Sequence, residues 1–300
     1  MSLRSLSPIL LTNATARFEG DKVFLKAEVL KDLVKNALIY ENLREDKELF
    51  DEFYKKLMWW KEFYQENKDN LPEVKKQLSL IGTWLEKKVL CGGEPEIVKG
   101  EVINFDEKKN LLNLLQVEDF ELTQGQVVKK KLKLVGKGKR FIGIRKLADT
   151  NSTFEGQFSV DPQKVEEYEK HAQKPRMYEY FKNNTVEEVV DKFSLKVLEA
   201  DKEFFTDRGY ADIVRRLEDI EAESDHRLVR VNYKPGILPF GAELFCYEQI
   251  EKRKRGRKEY HHLTEIFELI NKLRMAGEIF SQTREITVDK KPIGWLKFEG

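Results

Sequence analysis

Apolar residues recur at intervals of three and four from 28 to 43. Val29, Leu30, Leu33, Val34, Ala37, Leu38 and Ile39 fall on one side of a helical wheel, which predicts a helix with one buried face. Residues 47–66 and 71–90 continue helical. The second of these begins at Leu71-Pro72-Glu73, where a proline suits the first turn. Ahead of the helices, residues 8–25 read as extended, with a turn at Glu19-Gly20-Asp21, and Cys91-Gly92-Gly93 closes the helical region. From 111 to 160 the period changes to two. Leu132, Leu134, Phe141, Ile142, Ile144, Phe154, Phe158 and Val160 alternate with polar residues, and Gly136-Lys137-Gly138 turns one strand into the next. Residues 162–222 return to helix, 226–232 form a short strand, and 260–276 another helix. Residues 283–298 close the chain as a hairpin turned at Asp289-Lys290.

Strands, helices, a sheet, helices and a hairpin in that order give an α+β layout. A ferredoxin-like or RRM-like sheet backed by helices, with a large helical insertion, is its natural form. Two regions follow, 4–110, an N-terminal strand plus helices, and 111–298, the sheet region with its helices and closing hairpin; the alternative is one continuous domain. Met1-Ser2-Leu3 and Glu299-Gly300 resemble vector-derived additions and are set outside the fold.

Composition narrows the function classes. Hydrophobic residues make up 40% of the 300, enough for a core, and charged residues reach 36%, dominated by Lys and Glu as in many thermophile proteins. A net charge of +1 excludes a uniformly basic nucleic-acid binder but leaves room for a local basic face. No apolar run approaches a membrane span and no signal peptide is read from the sequence, so a cytoplasmic protein without a leader is the expectation. Cys91 and Cys246 lack metal or redox spacing and read as plain thiols.

Catalytic motifs are missing: there is no P-loop, no G-x-S-x-G and no H-E-x-x-H. His261-His262 opens a helix, and one of the two is a candidate general base for RNA cleavage, although neighbours in sequence point to different faces. No metal or other cofactor is expected. The carboxylates from Glu218 to Glu223 read as a solvated helix face. Trp59-Trp60 with Phe63-Tyr64 offers a stacking platform, but its helical spacing favours packing. The basic residues are more telling. Lys129, Lys130, Lys131, Lys133, Lys137, Lys139, Arg140, Arg145 and Lys146 are uninterrupted by any acid, and Lys252, Arg253, Lys254, Arg255, Arg257 and Lys258 form a second cluster on a glycine-containing loop. Phosphates call for such point charges. Alternating strand lysines also serve as edge protection.

Three segments resemble the RAMP proteins of type III CRISPR systems. In Val23 to Leu38 the family carries a strand, a Pro-Gly-Ser-Ser turn and a helix of the form Leu-Lys-Gly-Ala-Ile-Arg-Thr-Ala-Leu. This chain keeps Leu30-Lys31, Lys35 and Ala37-Leu38, while Lys26-Ala27 and Asp32 stand where the family has its turn and helix glycines. Leu115 to Phe120, with the following strands and Thr153 to Phe158, is similar to the Val-Ser-Asp-Ser element and sheet of the type III-A Csm subfamily. Thr283-Arg284 with Pro292-Ile293-Gly294-Trp295-Leu296-Lys297 resembles the ending of that subfamily's fifth subunit. Tyr233 to Gly241 stands in for the glycine-rich loop before that ending.

The resemblance implies one or two ferredoxin-like domains and a non-enzymatic subunit that holds the 3′ part of a crRNA and aids its maturation in antiviral defence. Its partners would be crRNA and neighbouring RAMP subunits. Lys31, Lys35, Lys139, Arg140, Arg253, Lys254, Arg255, Arg257 and Arg284 are the expected RNA-binding residues. The alternative is a Cas6-like, metal-independent endoribonuclease using His261 or His262. A third reading is a scaffold without RNA contact.

Overall fold

In the computed structural model the described residues are 1–136, 140–171, 173–231, 237–254, 260–273 and 284–299, with side chains left aside at 140, 141, 253 and 254. Four short strands open the chain: β1 (Ser2–Ser5), β2 (Ile9–Leu10), β3 (Ala16–Glu19) and β4 (Lys22–Leu25). Three long helices follow, α1 (Ala27–Glu45), α2 (Lys47–Glu66) and α3 (Leu71–Leu90). A small ribbon, β5 (Glu96–Val98) and β6 (Glu101–Ile103), leads through two 3-10 turns to β7 (Leu115–Val117), β8 (Phe120–Gln124), β9 (Val127–Val135), β10 (Arg140–Ala148), β11 (Thr153–Glu155) and β12 (Phe158–Val160). Then come α4 (Pro162–Glu169), α5 (Tyr178–Lys182), α6 (Val186–Thr206), α7 (Ala211–Ser224), β13 (Leu228–Arg230), α8 (Phe240–Lys254), α9 (Leu263–Leu273), β14 (Arg284–Thr287) and β15 (Trp295–Glu299).

Among the described residues the main sheet has seven strands in the order β13-β15-β1-β11-β8-β4-β3, and neighbouring strands in it run antiparallel. Its inner strands β15-β1-β11-β8 are joined along the chain as strand, helices, strand, strand, helices, strand. That is the connectivity of a split β-α-β-β-α-β unit, widened at one edge by β3–β4 and at the other by β13. The β9–β10 hairpin is an excursion between β8 and β11. It forms the middle of a second sheet, ordered β14-β9-β10-β2.

The helix predicted over 28–43 is α1, but it is not buried on one face only. Every residue from 36 to 43 is buried, because α3, α6 and α8 pack around it. A helix that is covered on all sides loses its amphipathic signature. Gly241 is what lets α8 approach. Its N–H donates to Asn36 Oδ1 at 3.0 Å, and a Cβ there would lie 2.0 Å from the Asn36 carbonyl oxygen. One apolar core runs from Leu3 to Phe298 and draws on residues of both halves of the chain. Trp60 and Trp84 are fully buried in it, with their indole N–H groups bonded to the carbonyls of Val74 (3.0 Å) and Pro95 (2.8 Å), as buried indoles require.

Two sequence expectations are corrected here. Residues 2, 3 and 299, set aside as additions, are strand residues: β1 lies between β15 and β11, with Ser2 opposite Glu299 and Leu3 opposite Phe298. Residues 283–298 do not form a hairpin. β14 pairs with β9 and β15 with β1, so the turn at Asp289-Lys290 carries the chain from one sheet to the other. Lys290, at φ 59°, makes that turn, and the Ile286–Pro292 bridge is all the pairing the two arms share among the described residues.

Candidate nucleic-acid interface

The β9–β10 register converts a run of lysines into a patterned surface. Lys129 stands opposite Lys146, Lys130 opposite Arg145, and Lys131 opposite Ile144. Opposed residues share a face, so Lys129, Lys131, Lys146 and Ile144 lie together, and Lys130 and Arg145 lie on the other side. Lys129, Lys131, Lys146 and Arg145 are exposed, and so is Ile144 at 64%. Lys130 is drawn inward toward Asp149 (3.5 Å) and Asp289 (3.8 Å). The opposite side also seats the small core of Leu10, Leu132, Leu147 and Ile293.

Two successive rungs thus place cation against cation, which is unfavourable by ~0.2–1 kcal/mol per rung. Edge protection explains lysines along the stretch of β9 that β14 does not cover. It gives no reason for matching them with Lys146 and Arg145 on the paired strand. A polyanion bridging both strands would turn the repulsion into binding. Lysines two residues apart on one strand sit about 6.7 Å apart, comparable to the separation of successive phosphates along an extended nucleic-acid strand.

The residues expected from sequence do not gather into one patch. Lys31 is half-buried on α1. Lys35 is committed internally, 2.6 Å from Asp32 and 3.5 Å from Glu86 of α3. Burial acts to lower its pKa, but these two carboxylates outweigh it, and the net shift is upward. The N-terminus of α1, one turn before Lys31, holds a carboxylate of the chain itself. The Ala27 N–H donates to Asp119 Oδ1 at 2.9 Å, and Arg17 Nε donates to Oδ2 at 2.9 Å. Asp119 belongs to the segment that resembles the Val-Ser-Asp-Ser element, so in this chain that aspartate caps α1.

Arg284 is buried. It pairs with Asp201 of α6 and lies 4.7 Å above the Phe204 ring, while Arg230 of β13 comes within 4.0 Å of the same aspartate. This Arg–Asp–Arg group ties α6 to both sheets. Arg253 and Lys254 form the end of α8 and are helical, not loop, residues; Arg255 and Arg257 lie outside the described residues. Lys139 also lies outside them, and Arg140 begins β10. Of the segment expected to replace the glycine-rich loop, 232–236 lie outside the described residues, and Gly241 serves helix packing.

The aromatic cluster on α2 divides. Trp60 is core, whereas Trp59 is 47% exposed and stacks on Phe63 at 5.4 Å. His261 and His262 lie in the turn immediately before α9, and their rings are 3.9 Å apart and do not diverge. His262 Nδ1 lies 3.1 Å from Lys61 Nζ and 3.4 Å from Glu265 Oε2, inside a Lys61–Glu265 ion pair of 2.6 Å. A cleft of about 410 Å³ between α1, α6 and α8 is lined by Glu199, Glu203, Glu248 and Glu251 against Arg44, Lys196 and Lys252, a balance that does not favour RNA. Burial raises the Glu248 carboxyl, which accepts a hydrogen bond from Tyr40 at 2.8 Å. Cys91 and Cys246 are buried, and burial pushes the Cys91 thiol up to about 11.

This architecture is shared with two solved structures. The chain is similar over 94% of its length to the crystal structure of T. onnurineus Csm5, covering 73% of that chain at 14% identity with a TM-score of 0.63. It is also similar over 92% of its length to a chain in the cryo-EM structure of a Csm–crRNA–target RNA ternary complex of a type III-A CRISPR–Cas system, covering 72% of that chain at 17% identity with a TM-score of 0.61. No protein-family model and no curated relative matches the sequence. No helix among the described residues is long and apolar enough to cross a membrane.

Proposed function

We propose that this chain is a crRNA-binding structural subunit of a type III-A-like CRISPR effector complex, holding the 3′ part of the guide and aiding its maturation beside neighbouring RAMP subunits. The observation that carries this reading is a Csm5-like fold sustained over nearly the whole chain. The cation-on-cation β9–β10 rungs supply the chemistry. We assign the grip to Lys129, Lys131 and Lys146, which share one face of the β9–β10 ribbon, and retain Lys31, Lys139, Arg140, Arg253, Lys254, Arg255 and Arg257 from the sequence as further RNA-binding residues. Lys35 and Arg284 are engaged by carboxylates of the chain and contribute by holding the fold. No arrangement around His261 and His262 favours the Cas6-like reading, because His262 is held within an ion pair.

Filter binding of single-stranded RNA across a salt series tests the grip. The expected affinity falls steeply with salt, with a log–log slope of about −0.7 per phosphate contact. Affinity that ignores salt between low and moderate ionic strength sinks the proposal. Co-purification with RNA of uniform length would support it. Metal-free cleavage of a repeat RNA, lost in a His261→Ala/His262→Ala double variant, would replace it with the nuclease.

A further inference from the structure

The lysine face ends on an aromatic ring that the basic clusters do not reveal. Phe18 is the third residue of β3, the outermost strand of the main sheet, and its cross-strand partner Val23 is buried. Phe18 itself is 38% exposed. It meets the second sheet there, with Lys146 Nζ 4.5 Å from its ring centroid. Lys146 is in turn opposite Lys129. One exposed ring therefore stands at the head of a short column of cations, at the point where the two sheets meet.

From this juxtaposition we propose that Phe18 is a stacking platform for one unpaired base of a single-stranded RNA whose phosphates run along Lys129 and Lys131. The inference rests on the RNA-binding reading above. A base has an apolar face and an anionic tether, and this site offers an apolar face beside cations. In the RNA-free chain the Lys146 ammonium covers the ring. When a base arrives, it takes the ring face and the ammonium swings to the adjoining phosphate. That exchange replaces an exposed cation–π contact with a stacked base and a charge-assisted phosphate contact. A duplex keeps its bases inside and cannot make the first of these contacts, so the site selects single strands. It reads no sequence, because every base has a π-face.

Phe18→Leu keeps the apolar volume and removes the stacking face; Phe18→Trp keeps both. Because the ring is exposed at a sheet edge, neither change disturbs the core, and a thermal melt verifies the fold. With an unstructured RNA oligomer, Phe18→Leu is expected to weaken binding about 5- to 150-fold, the range for loss of one stacked base. The salt slope should stay unchanged, because the phosphate contacts remain, and Phe18→Trp should bind like the unaltered chain. An oligomer carrying 2-aminopurine should be quenched by Phe18→Trp in the complex, and binding to duplex RNA should be equal for all three proteins. If Phe18→Leu binds the oligomer as tightly as the unaltered chain while Lys129→Glu still lowers the salt slope, the stacking platform is overturned and the phosphate grip stands. If the unaltered chain does not bind RNA at all, both fall.

Discussion

Replacing Lys129 with glutamate separates a binding surface from a structural one, because the two readings predict opposite signs. Lys129 is exposed and directly opposite Lys146. A like-charge cross-strand pair costs ~0.2–1 kcal/mol, and an opposite-charge pair contributes a similar amount. Lys129→Glu should therefore stabilise the protein by about 0.4–2 kcal/mol. For a chain of this size that is a rise in Tm of about 0.6–3 °C. The same change removes one phosphate contact, so the slope of log affinity against log salt should shrink by about 0.7. Over a fourfold rise in salt the affinity of the variant should fall about 2.6-fold less than that of the unaltered chain. Lys129 is a cleaner choice than Lys146, whose cation–π contact with Phe18 would be lost with the charge. Differential scanning fluorimetry in low salt and a filter-binding series read the two quantities. A lower Tm together with an unchanged salt slope would refute the argument, since the lysine would then be serving the fold and not an anion.

Three other outcomes follow from the interior and the surface. Asp201→Asn removes the buried carboxylate that Arg284 and Arg230 approach and should cost about 3–5 kcal/mol by urea unfolding; a loss under 1 kcal/mol would show that the group is not acting as a buried ion cluster. Gly241→Ala places a methyl group 2.0 Å from a backbone oxygen of α1 and should destabilise by about 1–3 kcal/mol, whereas the same change at Gly20, with open space around it, should act mainly through its left-handed φ of 58°. The Glu169 carboxyl is held down at about 2 by hydrogen bonds from Lys174 and Lys182. A depressed carboxylate contributes stability above its unfolded pKa of ~4.3 and loses it as pH falls toward 2, so Glu169→Gln should flatten the acid limb of a Tm–pH profile over that window. An identical limb in both proteins would show that the pair contributes nothing.

What local periodicity carries was legible without coordinates. The helices α1, α2, α3 and α9, the turn at Gly20 and the strand stretch from 111 to 160 follow from spacing and turn residues, because each is decided within a few neighbours. The lysine run was visible too, and so were the three segments resembling a RAMP subunit. The sequence could not indicate which of these charges face water. Arg284 resembles a site residue until Asp201, 83 positions away, pairs with it inside the protein. Lys35 looks like half of a cationic face until α3 brings Glu86 beside it. Asp119 becomes the cap of α1 only when β8 lies next to β4. Lys129 meets Lys146, and Lys146 meets Phe18, through strand register and the junction of two sheets. Residue type and spacing set which elements form; the burial and pairing of charge depend on contacts between distant segments, so only the tertiary structure decides which basic residues stay exposed.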